Sequence, residues 1–255
     1  MNETPTFHIN CPESSMDFFI YGLFNPVLLA QDEPEENVVT HQFWVDYNSS
    51  YRLTEWWDMY GDIGFRTISP HKWNRYIIRP AVRYQVPKLI FKNLNFREEF
   101  HAGVGFFFTD NMDASNRLEI RPFQGVRLDW PDRTRIRFRH YVRFEERFDL
   151  NTSNWVNTFG LRVRYLAQLT IKLQGDLIAF NKGVYLPISV ELFWNLIGAK
   201  QFNDHLRLVP GIGYEFSKKW KLEFDLGYHY VRNTVEEDFA TNDIVYRLRV
   251  HYRIK

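Results

Sequence analysis

Arginine stands at positions 135, 137, 139 and 143 of the stretch RTRIRFRHYVRFEERF (residues 133–148). A guanidinium keeps its charge at any ordinary pH and presents a flat fork of donors. A row of them can therefore grip carboxylates or favour small anionic solutes. Between them fall Ile136, Phe138, His140, Val142 and Phe144. Successive side chains on a strand point to opposite faces. The stretch reads as one strand with a greasy face and a face of Arg135, Arg137, Arg139, Tyr141, Arg143 and Glu145. Other reactive residue types are sparse. His101, His140, His229, His251 and Ser189 are the candidates for acid–base or nucleophilic work. Ser189 stands in no nucleophile motif, and His140 falls on the greasy face. His229 and His251 are expected as near neighbours on the last two strands, where Glu223 or Asp225 would join them in a metal site. That signature is far weaker than a helical HExxH. No phosphate loop, GxSxG or dinucleotide fingerprint occurs.

The same alternation recurs from Val39 to the end of the chain. On the polar side it places Arg79 and Arg83, then Arg97 and Glu99 with His101, then Glu119, Arg121 and Arg127. Arg162, Arg164, Glu191, Arg207, Glu223, Arg247 and Arg249 follow on later strands. On the other side lie Phe, Tyr, Trp, Val, Ile and Leu. Gly103 and Gly105 fall on the inner face, where they would relieve crowding. Pro80 sits inside an expected strand, which argues mildly against that strand being central. A soluble sheet rarely lines its wet face with arginine, whereas a closed membrane barrel turns apolar residues to lipid and polar ones to its lumen. The expected fold is all-β: one antiparallel transmembrane barrel over residues 39–255. It has about 12 strands, with about 10 as the alternative, closed by the first and last. An even count depends on Thr170–Phe180 being a strand, although its alternation is poor.

Composition narrows the classes. The chain has 255 residues, 18% of them aromatic, and a formal net charge of +1. That balance argues against a nucleic-acid binder acting through bulk charge. The mean hydropathy of −0.41 is compatible with a barrel, which shows only half of each strand to lipid. Cys11 is the one cysteine, so an intrachain disulfide, a Cys-based zinc site and an iron–sulfur cluster are excluded. Residues 17–30, DFFIYGLFNPVLLA, form an apolar run too short to cross a bilayer as a helix, and acidic sequence follows. Residues 1–38 are expected to be a signal peptide or leader with a polar lead-in.

The stretches RLEIRPFQGVRL (117–128), RIRFRHYVRFEERF (135–148), VELF (190–193) and LRLVPGIGYEFSKKWKLEFDLGYHY (206–230) resemble a family of Gram-negative outer-membrane barrels known as domain of unknown function DUF2490. The resemblance covers most of residues 40–255. It implies an outer-membrane location and a barrel fold, and it carries no substrate. Outer-membrane lipid and the barrel-assembly machinery are the implied partners. Catalysis, a cofactor and a metal are not expected. Several roles stay open: a lumen plugged by interlocked arginine and carboxylate, a narrow anion-preferring pore, a barrel-borne lipid-modifying enzyme, and a soluble β-barrel binding protein.

Overall fold

The computed structural model describes residues 38–70, 72–86, 90–92, 96–131, 135–173, 183–198, 204–233 and 239–254. Residues 1–37 of the expected leader lie outside them, and Val38, placed at its end, opens the first strand. Among the described residues, eleven strands follow one another: β1 (Val38–Arg52), β2 (Trp57–Ser69), β3 (Trp73–Val86), β4 (Arg97–Asn111), β5 (Arg117–Asp129), β6 (Ile136–Asn151), β7 (Asn157–Lys172), β8 (Val184–Ile197), β9 (Asp204–Glu215), β10 (Trp220–Asn233) and β11 (Phe239–Arg253). Each pairs antiparallel with the next, and β1 closes on β11 to make a barrel. This is the all-β closed barrel expected from the alternation.

The seam differs from expectation. β1 and β11 run parallel, from Val38↔Thr241 to Ser50↔Arg253. Chain direction reverses at every hairpin, so strands 1 and 11 of an odd set point the same way. The segment expected to make the count even does not stand apart among the described residues. Thr170–Lys172 is the end of β7, and residues 174–182 lie outside the described set. β7 runs past the expected end at Leu166 because Gln168 and Thr170 continue the inner row begun by Arg162 and Arg164. Leu169 and Ile171 continue the outer row of Val163 and Tyr165. The apolar Leu166 at an inner position hid that continuity.

Alternation decides what each strand buries. Outward Val45, Ile63, Ile78 and Ile212 are each more than half exposed, whereas inward Asp46, Glu145 and Asp225 are 1% exposed. That is the reverse of a soluble domain, where charged side chains are almost never fully buried unless paired. Outward aromatic rings pair near both rims. At the rim where β2 and β10 begin lie Trp57–Tyr84, with centroids 4.8 Å apart, and Trp220–Tyr252, 4.3 Å apart. At the opposite rim lie Phe43–Tyr246, Phe65–Tyr76 and Phe148–Phe159, each 5.2–5.4 Å apart. Val45, Ile63, Ile78, Val163, Val190, Leu208, Leu226 and Leu248 occupy the outer face between them.

Pro80 is accommodated in β3. The register with β4 is the same on either side of it, Ile78↔Phe106 and Ala81↔Gly103, so the missing donor costs one ladder contact without a slip. Gly103 shows why glycine lines part of the interior. A Cβ there would come within 2.7 Å of the Ala81 methyl, the Phe123 ring and the Pro80 carbonyl oxygen. Two of those three atoms belong to the wall itself and cannot swing away. Gly103→Ala should therefore lower stability by about 1–3 kcal/mol. Urea denaturation of the refolded protein, followed by tryptophan fluorescence, measures the difference, and an unchanged midpoint contradicts this packing.

Candidate functional site

The site is the barrel interior, built from the inward position of every strand. Toward the rim where β4 begins, ion pairs form a girdle across six strands, and a hydrogen bond extends it to a seventh. Arg52 Nε meets Asp58 at 3.2 Å, and Arg83 reaches Asp58 at 2.7 Å. Arg83 also stands 4.0 Å from Glu99, which Arg127 holds at 2.8 Å. Arg127 and Arg139 then share Asp129, at 2.9 and 2.7 Å, and Arg139 donates onward to Gln168 Oε1 at 3.1 Å. The strands β1 to β6 are thus stitched by alternating charge on the lumen side, and β7 joins through the neutral amide of Gln168, in addition to their backbone ladder.

Within this girdle lies a polar relay. Tyr60 Oη and His101 Nδ1 are 2.7 Å apart, and His101 Nε2 is 3.2 Å from Glu99 Oε2. The imidazole is held on both nitrogens, and the Tyr141 ring packs on it at 5.0 Å. Glu99 is already committed to Arg97 and Arg127, each at 2.8 Å. The relay is thus built into the girdle.

Deeper in, Glu145 is the hub. Arg162 binds it through Nε at 2.8 Å and Nη2 at 2.5 Å, Arg143 lies at 3.1 Å, and Arg121 and Arg164 stand at 3.7 and 3.9 Å. Glu119 takes Arg121 at 2.8 Å and Arg147 at 2.5 Å. Glu191 pairs with Arg164 and stands 3.7 Å from Arg207. Arg249 bridges Glu223 and Asp225, Arg247 reaches Asp46 at 2.5 Å, and Arg79 grips Asp62 at 2.7 Å. Buried aromatic rings fill the spaces between. Arg162 and Arg207 lie 4.9 and 4.6 Å from the Phe193 centroid, Arg121 4.1 Å from Phe107, and Arg143 4.8 Å from Phe123. An arginine stacked on a ring keeps its in-plane donors free for a carboxylate.

Cavities remain among the described residues. One of about 860 Å³ opens past Lys218, Lys219 and Arg253 at the rim that holds the girdle. A second, of about 140 Å³, lies further in, and Arg79, Arg164, Gln168, Glu191, Arg247 and Arg249 wall both.

Of the lumen residues read from the sequence, Arg79, Arg83, Arg97, Glu99, Glu119, Arg121, Arg127, Arg139, Arg143, Glu145, Arg162, Arg164, Glu191, Arg207, Glu223, Arg247 and Arg249 all belong to these clusters. Arg137 lines the larger cavity. Arg135 does not belong with them. It precedes β6, its side chain is exposed, and its carbonyl accepts the Lys172 N–H at 2.8 Å. His229 and His251 are not neighbours: His229 faces Asp243 and His251 faces Lys221, eight residues apart along β11. That is roughly 26 Å at the rise of a strand, which removes the expected pairing. His140 points outward, 2.7 Å from Tyr165 Oη. Ser189 lines the inner cavity. Asp46 lies inward, as the alternation of the first strand places it. Sequence reading missed Arg147 and the inward rings Trp44, Phe107, Phe123, Tyr185 and Phe193. Parity alone would have placed them.

Removing one member of a buried pair leaves its partner charged and enclosed. Glu145→Gln, which preserves shape and deletes charge, should cost about 3–5 kcal/mol. Arg97→Gln, at a side chain 48% exposed, should cost about 1 kcal/mol or less. Paired urea titrations compare them, and equal losses contradict the contrast between rim and interior.

No curated protein and no solved structure matches the chain. The family model described as "Protein of unknown function (DUF2490)" matches residues 41–240, from β1 into β11. On that match across most of the barrel wall, the chain belongs to the DUF2490 family.

Proposed function

We propose that the protein is a non-catalytic β-barrel of the Gram-negative outer membrane, with a lumen closed by its own arginine–carboxylate network. One observation carries this reading: the outer face exposes Ile63, Ile78 and Ile212 while Glu145 and Asp225 are enclosed. An apolar exterior wrapped round a charged interior suits lipid outside and polar contacts inside. The aromatic pairs near each rim suit the two interfacial girdles of such barrels. Strands of 12–16 residues exceed the roughly 9–11 that a tilted strand needs to span a bilayer. A soluble binding barrel would leave that apolar exterior in water, where large patches favour association. The expected leader and engagement of the assembly machinery belong to the same proposal.

Closure is supported by the hub at Glu145, whose partner Arg162 is 2% exposed, and by the narrowing from the larger cavity to the smaller. Two measurements test the two halves. The protein should stay in the membrane pellet after a carbonate wash, and its release to the supernatant overturns the membrane assignment. In planar bilayers the purified protein should give no sustained single-channel steps, and a steady ohmic conductance overturns the plug in favour of a pore.

A further inference from the structure

The smaller cavity contains a cation of a different kind from the others. Arg66 on β2 is 9% exposed and faces the cavity. Its Nε has no hydrogen-bond partner. Among the described residues, no carboxylate reaches its guanidinium at ion-pair distance. Its Cζ instead lies 3.6 Å from the centroid of the Trp44 indole. Arg247 and Arg207 approach the same ring at 5.5 and 5.8 Å. In the ladder Arg66 stands directly opposite Trp44 on one side and Arg75 on the other. Like charges directly opposite each other destabilise a strand pair. The nearby carboxylate of Asp46 is engaged by Arg247 at 2.5 Å. Ten of the twenty-one residues lining this cavity are arginine. Seven of the ten are ion-paired with a carboxylate at less than 3 Å, and Arg66 is not among the seven.

The platform under Arg66 is fixed. Trp44 Nε1 donates to Gln42 Oε1 at 2.9 Å, and Gln42 Nε2 donates to Asp243 Oδ2 at 2.7 Å. A guanidinium centred 3.6 Å over the indole has its face taken up by the ring and its N–H donors left at its edge, where a tetrahedral oxyanion can meet it with two oxygens at once. The cavity of about 140 Å³ has room for such an ion and adjoins the larger one that opens at the rim.

We infer that the inner cavity is a binding site for a phosphate-type tetrahedral oxyanion, seated against Arg66 on its Trp44 platform and shared with Arg207 and Arg247. Asp46, whose Oδ2 is held by Arg247, attracts Arg66 only from beyond ion-pair distance, and the oxyanion supplies the direct contact that Arg66 lacks. The same chemistry is available from a free phosphate or sulfate ion and from a phosphate headgroup that enters the lumen. The inference rests on the interior alone and stands whatever surrounds the barrel.

Equilibrium dialysis of the folded full-length chain, in detergent free of phospholipid, against radiolabelled inorganic phosphate tests it. Binding should saturate, be competed by sulfate and resist chloride. Arg66→Gln should weaken it roughly tenfold or more, the usual scale for losing a charge-assisted bidentate contact. Trp44→Phe, which keeps a ring but loses the indole and its bond to Gln42, should weaken it several-fold and serves if the first variant fails to fold. Arg117→Gln, whose side chain is 47% exposed and pairs with Asp149, should leave it unchanged. Phosphorus analysis of protein taken from membranes separates the sources. Arg66-dependent phosphorus in the aqueous extract marks the free ion, and Arg66-dependent phosphorus in the lipid extract marks a headgroup. If phosphate fails to bind and neither extract holds phosphorus, or if both variants bind phosphate as the unaltered chain does, the site is refuted.

Discussion

A charge enclosed by a cylinder of backbone has to be answered from within that cylinder. The wall uses its own N–H and C=O groups in the ladder, so side chains must do the answering. In this barrel the answer is arginine against carboxylate, repeated from β1 to β11. Ion pairs of this kind are weak evidence of net stability, because desolvation offsets much of their attraction. They are strong evidence of constraint, because once one partner is enclosed the other cannot be omitted. The depth of Glu145 and Arg162, at 1% and 2% exposure, follows from that rule.

Size sets the second condition. Side chains from eleven strands converge on one axis, and arginine is long. Flat rings at Trp44, Phe107, Phe123 and Phe193 let guanidiniums stack close together instead of splaying apart. Glycine makes room where a ring crosses the wall, as Gly213 does beneath Tyr185, whose hydroxyl donates to Glu223 at 3.0 Å. Large residues and absent side chains are two halves of one packing solution. Family membership adds the likeness across residues 41–240.

The period-two pattern made the fold class and the inward face legible, because a strand reports its own parity without knowing its neighbours. It made most arginines of the interior legible for the same reason. The reading of β6 stopped at Glu145, although Arg147 and Asp149 continue the row, because three polar residues in succession look like a strand ending. Inward rings were missed because an apolar residue at an inward position resembles a lapse in alternation. Their use as platforms depends on neighbours such as Arg66 opposite Trp44, which only the register reveals. The pairing of each arginine with its acid was illegible likewise. The strand count came close, eleven against about twelve, and differed where Leu166 hid the continuity of β7. His229 and His251 looked adjacent because they lie on adjacent strands, and their separation depends on where the hairpin turns.

The parallel seam has a consequence for how the ring is completed. Each remaining strand contact joins consecutive segments and can form as a local hairpin. β1 and β11 meet across the whole chain: Gln42 and Asp243 are 201 positions apart. Their union is fastened inside by Arg247 on Asp46 and outside by Phe43 stacked on Tyr246 at 5.3 Å. Bringing such distant segments together carries the largest loop-closure entropy in the molecule. Until it happens, two bare strand edges offer unpaired N–H and C=O groups to any passing chain. Ring closure is the one topologically remote event in this architecture, and the interval before it is when the sheet is most open to edge-to-edge association.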